Sequence, residues 1–292
     1  MPVRLQTVAC LRPQSATYLR VRGPPASLAC SVIAGQPRTN SRAEPLTHPA
    51  VVAVAVANVW AAPGTATIPN DPHIWPTPAI SYAQRRALVG HMPTQVLFGE
   101  RVLVLARRGV WTKVAVPDQP SPLDRRGYPG WMLSSQLRAN GPSATAVVTV
   151  AKARLPNGME VGFGSQVPPG EATRPLPRTR ADLVRTAKLF LGLHYLWGGL
   201  SVWGYDCSGL TWAVYRAHGI TLPRDADAQY DAGKPVSLAD AKPGDLIFYE
   251  GSRPGHVAML VGGGMMIESP NSAGEVRIVP IRSGYVGVRR FL

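Results

Sequence analysis

The 292 residues carry 31 lysines and arginines against 17 aspartates and glutamates, a formal charge of +14, and 45% of them are hydrophobic, enough for one large domain or two modest ones. Twenty-nine glycines and 29 prolines exclude a bundle of long helices and favour short strands joined by turns. The charge points to polyanionic partners, but the arginines are scattered and no nucleic-acid-binding motif accompanies them, so we expect no nucleic acid as partner.

Residues 1–49 are rich in arginine and proline, with Glu44 the sole acid, and read as a disordered tail or signal region. The basic start followed by "ASLACSVIAG" (26–35) has two readings: the apolar core of a secretory signal, or sequence upstream of the true start. No run of 18 apolar residues exists, so no membrane span is expected. The three cysteines, Cys10, Cys30 and Cys207, lack CxxC or Cys/His spacing, which argues against a disulfide framework or a structural zinc site and leaves Cys207 unpaired.

From Val51 the texture becomes strand-like: "VVAVAVANVW", "QVLFGERVLVLARR", "VWTKVAVP" and "GYPGWML", separated by turn residues, predict a small all-β barrel over residues 50–138. Trp111 and Trp131 read as core packing rather than as ligand contacts. Residues 139–177 add two strand candidates, "ATAVVTVAKARL" and "MEVGFGSQV", then a proline-rich linker. The block 178–292 opens with a helix, "RADLVRTAKLFLG", and a second one, "CSGLTWAVYRAHG", whose Leu210, Val214 and Ala217 share a face and whose Gly219 ends it. Strand candidates follow at "DLIFYE", "HVAMLVG", "MMIES", "VRIVPI" and "VGVRRF". Helices first and strands after imply an α+β fold with an antiparallel sheet.

The second helix carries the chemistry. Its first turn offers unpaired N–H groups and the positive end of the dipole, which favour a thiolate at Cys207. A cysteine nucleophile needs a base and a polar group to orient that base. His256 starts one predicted strand and Glu268 ends the next, so a hairpin about Gly262–Gly264 would bring both to one end of the sheet. His218, just before Gly219, reads as a cationic cap on the helix dipole. Asp206 has a competing reading as the helix N-cap, and Asp245 reads as a turn residue.

In order along the chain, "YLWGG", "DCSGL", "LPRDADAQ", "KPGDLIFY", "GHVAMLVGGG" and "MIESP" resemble the pattern of the NlpC/P60 cysteine peptidases, and residues 50–138 resemble a bacterial SH3-like domain. The resemblance implies a papain-like catalytic domain of helices packed on an antiparallel sheet, preceded by an SH3-like barrel and a shortened second β module. It assigns Cys207 as nucleophile, His256 as base and Glu268 to a third position often held by histidine. It also implies that Tyr195 and the Cys207 amide stabilise the oxyanion, that Trp197, Ser208 and Asp225 line the substrate site, that Asp206 meets a free α-ammonium and that Arg224 offers its fork to a substrate carboxylate. No metal or cofactor is implied. The substrate class would be peptidoglycan stem peptides or muropeptides, cut between γ-D-glutamate and a diamino acid, either diaminopimelate or lysine. The implied location is secreted or at the cell wall, the alternative being cytoplasmic muropeptide recycling. A non-catalytic wall-binding protein and a Cys/His acyltransferase stand as alternatives.

Overall fold

A computed structural model describes residues 48–66, 80–139 and 146–292, all within one compact unit spanning 43–292. The secretory-signal segment, Cys10 and Cys30 lie outside the described residues. Among those described, no helix is long and apolar enough to cross a membrane.

The apolar run 51–60 forms two strands rather than one: β1 (His48–Val52) and β2 (Val56–Val59) enter different sheets. The helix α1 (Tyr82–Ala87) follows, its start fixed by a Ser81 capping box. The run 95–108 also divides, into β3 (Thr94–Leu97) and β4 (Arg101–Arg108). The break is Gly99, at φ +80° and so close to its neighbour that a Cβ would lie 1.9 Å from the Gln166 carbonyl oxygen; only glycine fits there. Then come β5 (Trp111–Val116), β6 (Tyr128–Leu133) and β7 (Leu137–Arg138). The five-stranded sheet runs β6-β5-β4-β1-β7, while β2 pairs with β3. Val52, Val102, Val104, Val114 and Met132 form its dry face, as the two-residue period of a strand requires. Trp111 packs half-buried against a cluster of Trp60, Leu88, Met92 and Leu196, so core packing is its role.

The next two predicted strands divide into four short ones, β8 (Ala146–Val147), β9 (Lys152–Arg154), β10 (Glu160–Gly162) and β11 (Gln166–Val167), paired as β8 with β11 and β9 with β10. Val148, Val161 and Val167 close over Phe98.

In the C-terminal part, α2 (Arg180–Lys188), capped by Thr179, leads to the short pair β12 (Leu200–Ser201) and β13 (Gly204–Tyr205), then α3 (Cys207–Ala217) and α4 (Ala226–Ala232). The strands β14 (Lys234–Val236), β15 (Leu246–Tyr249), β16 (His256–Gly262), β17 (Met265–Glu268), β18 (Arg277–Pro280) and β19 (Tyr285–Arg290) follow. They make one antiparallel sheet in the order β14-β19-β15-β16-β17-β18. This is the α+β arrangement expected from the element order.

Helix α3 differs from the amphipathic helix expected. Every residue from Cys207 to Tyr215 is buried, because the helix packs on β16 on one side and against residues 199–200 on another, where a Cβ at Gly209 would come within 2.2 Å of the Gly199 carbonyl. His218 also differs from the cationic cap. It is buried, Nδ1 lies 2.6 Å from the Pro177 carbonyl and Nε2 lies 2.9 Å from the Thr186 hydroxyl. The carbonyl can only accept, so Nδ1 carries the proton, and burial pulls the ring below its ordinary pKa: the imidazole is a neutral tie between segments. Asp245 is the buried turn residue expected, held by the Lys242 amide and by Arg180 and Arg290.

Candidate active site

Asp206 ends an extended stretch and caps α3, its Oδ1 accepting from the Gly209 amide at 2.6 Å. This makes Cys207 the first residue of the helix, where the backbone amide has no partner inside the helix. The Cys207 sulfur is buried, 3.8 Å from the carbonyl of Gly255, the residue that precedes His256, and its interaction with the His256 ring contributes to raising that ring's pKa.

The hairpin expected about Gly262–Gly264 is present: β16 and β17 pair with Met259 opposite Ile267 and a register shift near Gly262. One step along, the register sets Glu268 across from Ala258, on the face that His256 shares. The Glu268 Oε2 lies 2.9 Å from His256 Nε2, which leaves Nδ1 for the sulfur. Both side chains are buried. Burial drags the His256 pKa down, but hydrogen bonds to Cys207 and Glu268 outweigh it and hold the ring at about 9. Burial likewise pushes Glu268 up, and bonds from His256, Arg277 and Arg282 overcome it and bring the carboxyl to about 2. The arrangement favours a proton held on the imidazole, between the Glu268 carboxylate on one side and the sulfur on the other.

A cavity of about 740 Å³ opens over the thiol. Tyr195, Trp197, Asp206, Ser208 and Asp225 line it, as does Tyr128 from β6. Burial, then the charges of Cys207 and Asp206, push the Tyr195 hydroxyl above its ordinary range, so it stays protonated and able to donate. Asp225 precedes α4 but its side chain makes no cap bond. Instead it accepts from the Tyr128 hydroxyl at 3.3 Å, and burial raises its pKa.

The expectation for Arg224 is overturned. The residue is 1% exposed and not among the cavity's lining residues. Its Nη2 donates to Asp206 Oδ2 at 2.6 Å, its Nη1 to Asp206 Oδ1 and Ser208 Oγ at 3.1 and 2.9 Å, and its Nε to Thr94 Oγ1 at 2.9 Å. The fork is filled by the protein's own groups, and Asp206, expected to meet an ammonium, is neutralised by the same pair and occupied as a cap. Asp225 and Asp227 also line the cavity, and of these Asp227 is paired with Arg253 at 2.8 Å.

Sequence reasoning missed Tyr128, Thr94, Arg277 and Arg282. Tyr128 and Asp225 are 97 residues apart and Arg224 and Thr94 are 130 apart, so no local pattern announces either contact.

The pattern of the NlpC/P60 family matches residues 192–291. The chain is 36% identical over 271 residues to a protein of Bacillus subtilis (strain 168) named gamma-D-glutamyl-L-lysine dipeptidyl-peptidase, covering 78% of this chain and 92% of that one. The chain belongs to the NlpC/P60 family. A protein of the same name from Bacillus cereus is 33% identical, over 83% of this chain and 91% of its own. The crystal structure of an NlpC/P60 family protein from Bacillus cereus ATCC 10987 superposes with a TM-score of 0.75 at 32% identity, over 84% of this chain and 99% of that one.

Proposed function

We propose that this NlpC/P60 chain is a cysteine peptidase that hydrolyses the bond between γ-D-glutamate and a diamino acid in peptidoglycan stem peptides, with Cys207, His256 and Glu268 as its catalytic residues. The observation that carries the reading is the thiol at the start of α3, against the Gly255 carbonyl next to an imidazole that a buried carboxylate holds through Nε2. Cys207 gives its proton to His256 and attacks the scissile carbonyl. The oxyanion meets the Cys207 amide and the Tyr195 hydroxyl. His256 protonates the departing amine, leaving a thioester, and then takes a proton from the water that hydrolyses it.

Asp225 and the Tyr128 hydroxyl are suited to an α-ammonium at the end of a short peptide. Pro122, Leu123 and Tyr128 wall the cavity, which favours short free stem peptides over glycan-linked chains. The names of the two Bacillus relatives support the same bond class.

The test is incubation with L-Ala-γ-D-Glu-L-Lys and with its diaminopimelate counterpart, reading released diamino acid by mass spectrometry. Hydrolysis that disappears in Cys207→Ala is expected. Unchanged hydrolysis in that variant would refute the reading, and an acyl-transfer product in place of free dipeptide would favour the acyltransferase alternative.

A further inference from the structure

Glu268 is completely buried, yet it faces more cations than a base-orienting carboxylate requires. Arg277, its direct partner across the β17–β18 ladder, donates from Nε and Nη2 to Oε1 at 3.1 and 2.9 Å. Arg282, in the loop after β18, donates from Nη1 to Oε1 and Oε2, both at 2.9 Å. With His256 on Oε2 these contacts occupy about all four lone-pair sites that a carboxylate has. Arg282 is itself fixed, its guanidinium 4.7 Å from the centre of the Tyr249 ring, and Tyr249 stands opposite His256 in the β15–β16 ladder.

We propose that Arg277 and Arg282 are positioning residues: they keep the Glu268 carboxylate oriented on His256 and ionised during the half of the cycle in which the imidazole is neutral. This rests on the catalytic reading of Cys207, His256 and Glu268 given above. Once His256 has passed its proton to the leaving amine, a buried carboxylate facing only that ring would be an unpaired anion, which a protein interior strongly disfavours and which drives proton uptake. Guanidinium groups stay charged throughout. The charge on the cluster is therefore constant: thiolate and imidazolium cancel before acylation, thioester and neutral imidazole carry none after it, and Glu268 with two arginines contributes +1 in both. The same cations stop the carboxylate from holding His256 so firmly protonated that it becomes a poor acid. The charged and titratable groups around the pair are Cys207 from α3, Tyr249 from β15, Glu268 from β17, Arg277 from β18 and Arg282 from the following loop; Tyr195 and Glu250 lie further out, toward the thiol.

Both arginine side chains are about half exposed, at 50% and 44%, so water can fill their places and the variants should fold. Arg277→Ala, Arg282→Ala, the double variant and the two lysine variants are compared for kcat and KM across pH. In parallel, iodoacetamide labelling of the unsubstituted chain and each variant is followed across pH on the Cys207 peptide, which needs no substrate turnover. In the double variant the acidic limb of both profiles should move up by about one pH unit, equivalent to about tenfold at a fixed pH on that limb. KM should stay within about twofold, and lysine at either position should return the limb most of the way because it restores the charge. Limbs that stay in place, or a rise in KM at constant kcat, would overturn the proposal. A labelling profile that moves as stated in a protein that hydrolyses no stem peptide would sink the proposed substrate while leaving this inference standing; hydrolysis with an unmoved profile would sink the inference alone.

Discussion

Replacing Arg224 by methionine separates a structural from a substrate-binding guanidinium. The side chain is 1% exposed and its ion pair with Asp206 closes at 2.6 Å, with further bonds to Ser208 and Thr94. Removing one partner of such a pair strands the other as a buried charge, at a cost of about 3–5 kcal/mol. For a unit of this size each kcal/mol lowers Tm by about 2–4 °C, so the fall should be on the order of 10 °C. Asp206→Asn keeps an α3 cap, since asparagine caps about as well as aspartate, but it strands Arg224 in turn and should cost a similar amount. The double variant removes both charges, so a double-mutant cycle by urea unfolding should give a coupling of roughly 2 kcal/mol or more, with the double variant far less destabilised than the sum of the singles. Additive effects, or an unchanged Tm with a raised KM, would refute the buried pair and reinstate a guanidinium that binds substrate.

Tyr195→Phe removes one of the two proposed oxyanion donors and should lower kcat by about 10²-fold in steady-state hydrolysis while KM changes little. With His256 held at about 9, the alkaline limb of kcat/KM should fall near that pH; in Glu268→Gln the ring loses its anionic partner, and the limb should move down toward the ordinary histidine range. Glu100 is fully buried, and desolvation lifts its carboxyl from 4.5 to about 7 against the pull of Arg216. The native state then keeps a proton that the unfolded chain has released, so stability declines as pH rises from about 4.5 to about 7, by up to about 3 kcal/mol. In Glu100→Gln, Tm measured by scanning calorimetry should lose most of that slope.

The proposed nucleophile was legible because its determinants are local: a cap residue, a thiol and the onset of a helical apolar pattern lie within a few positions of one another. The hairpin that joins His256 to Glu268 was legible for the same reason, its turn being three consecutive glycines. Arg277 sat in a strand that the sequence marks clearly, yet its register with Glu268 depends on how residues 269–276 return the chain to β17, and nothing local encodes that. Helix α4 escaped notice because it buries only Ala226, Ala228 and Gln229, which gives it no apolar stripe. The run 51–60 misled in the opposite direction, since an unbroken apolar stretch looks like one strand even when its middle residues turn between two sheets.

Some of the arginines behind the formal charge of +14 are committed to carboxylates within the fold. Arg180 and Arg290 converge on Asp245, Arg277 and Arg282 on Glu268, Arg216 on Glu100 and Asp118, and Arg224 on Asp206. Asp245 and Glu268 each take two arginines, so a surplus of positive charge is built into the interior network before any surface partner is considered. Six of the arginines that read as scattered in the sequence are thus spent on carboxylates, four of which (Glu100, Asp206, Asp245 and Glu268) are buried. Of these pairs, the one at Asp206 holds the residue that caps the helix carrying the thiol, and the ones at Glu268 hold the carboxylate bonded to His256. These six arginines and five carboxylates account for only +1 of the formal +14, so the network explains how Asp206, Asp245 and Glu268 are paired inside the fold, while most of the net charge is carried elsewhere in the sequence.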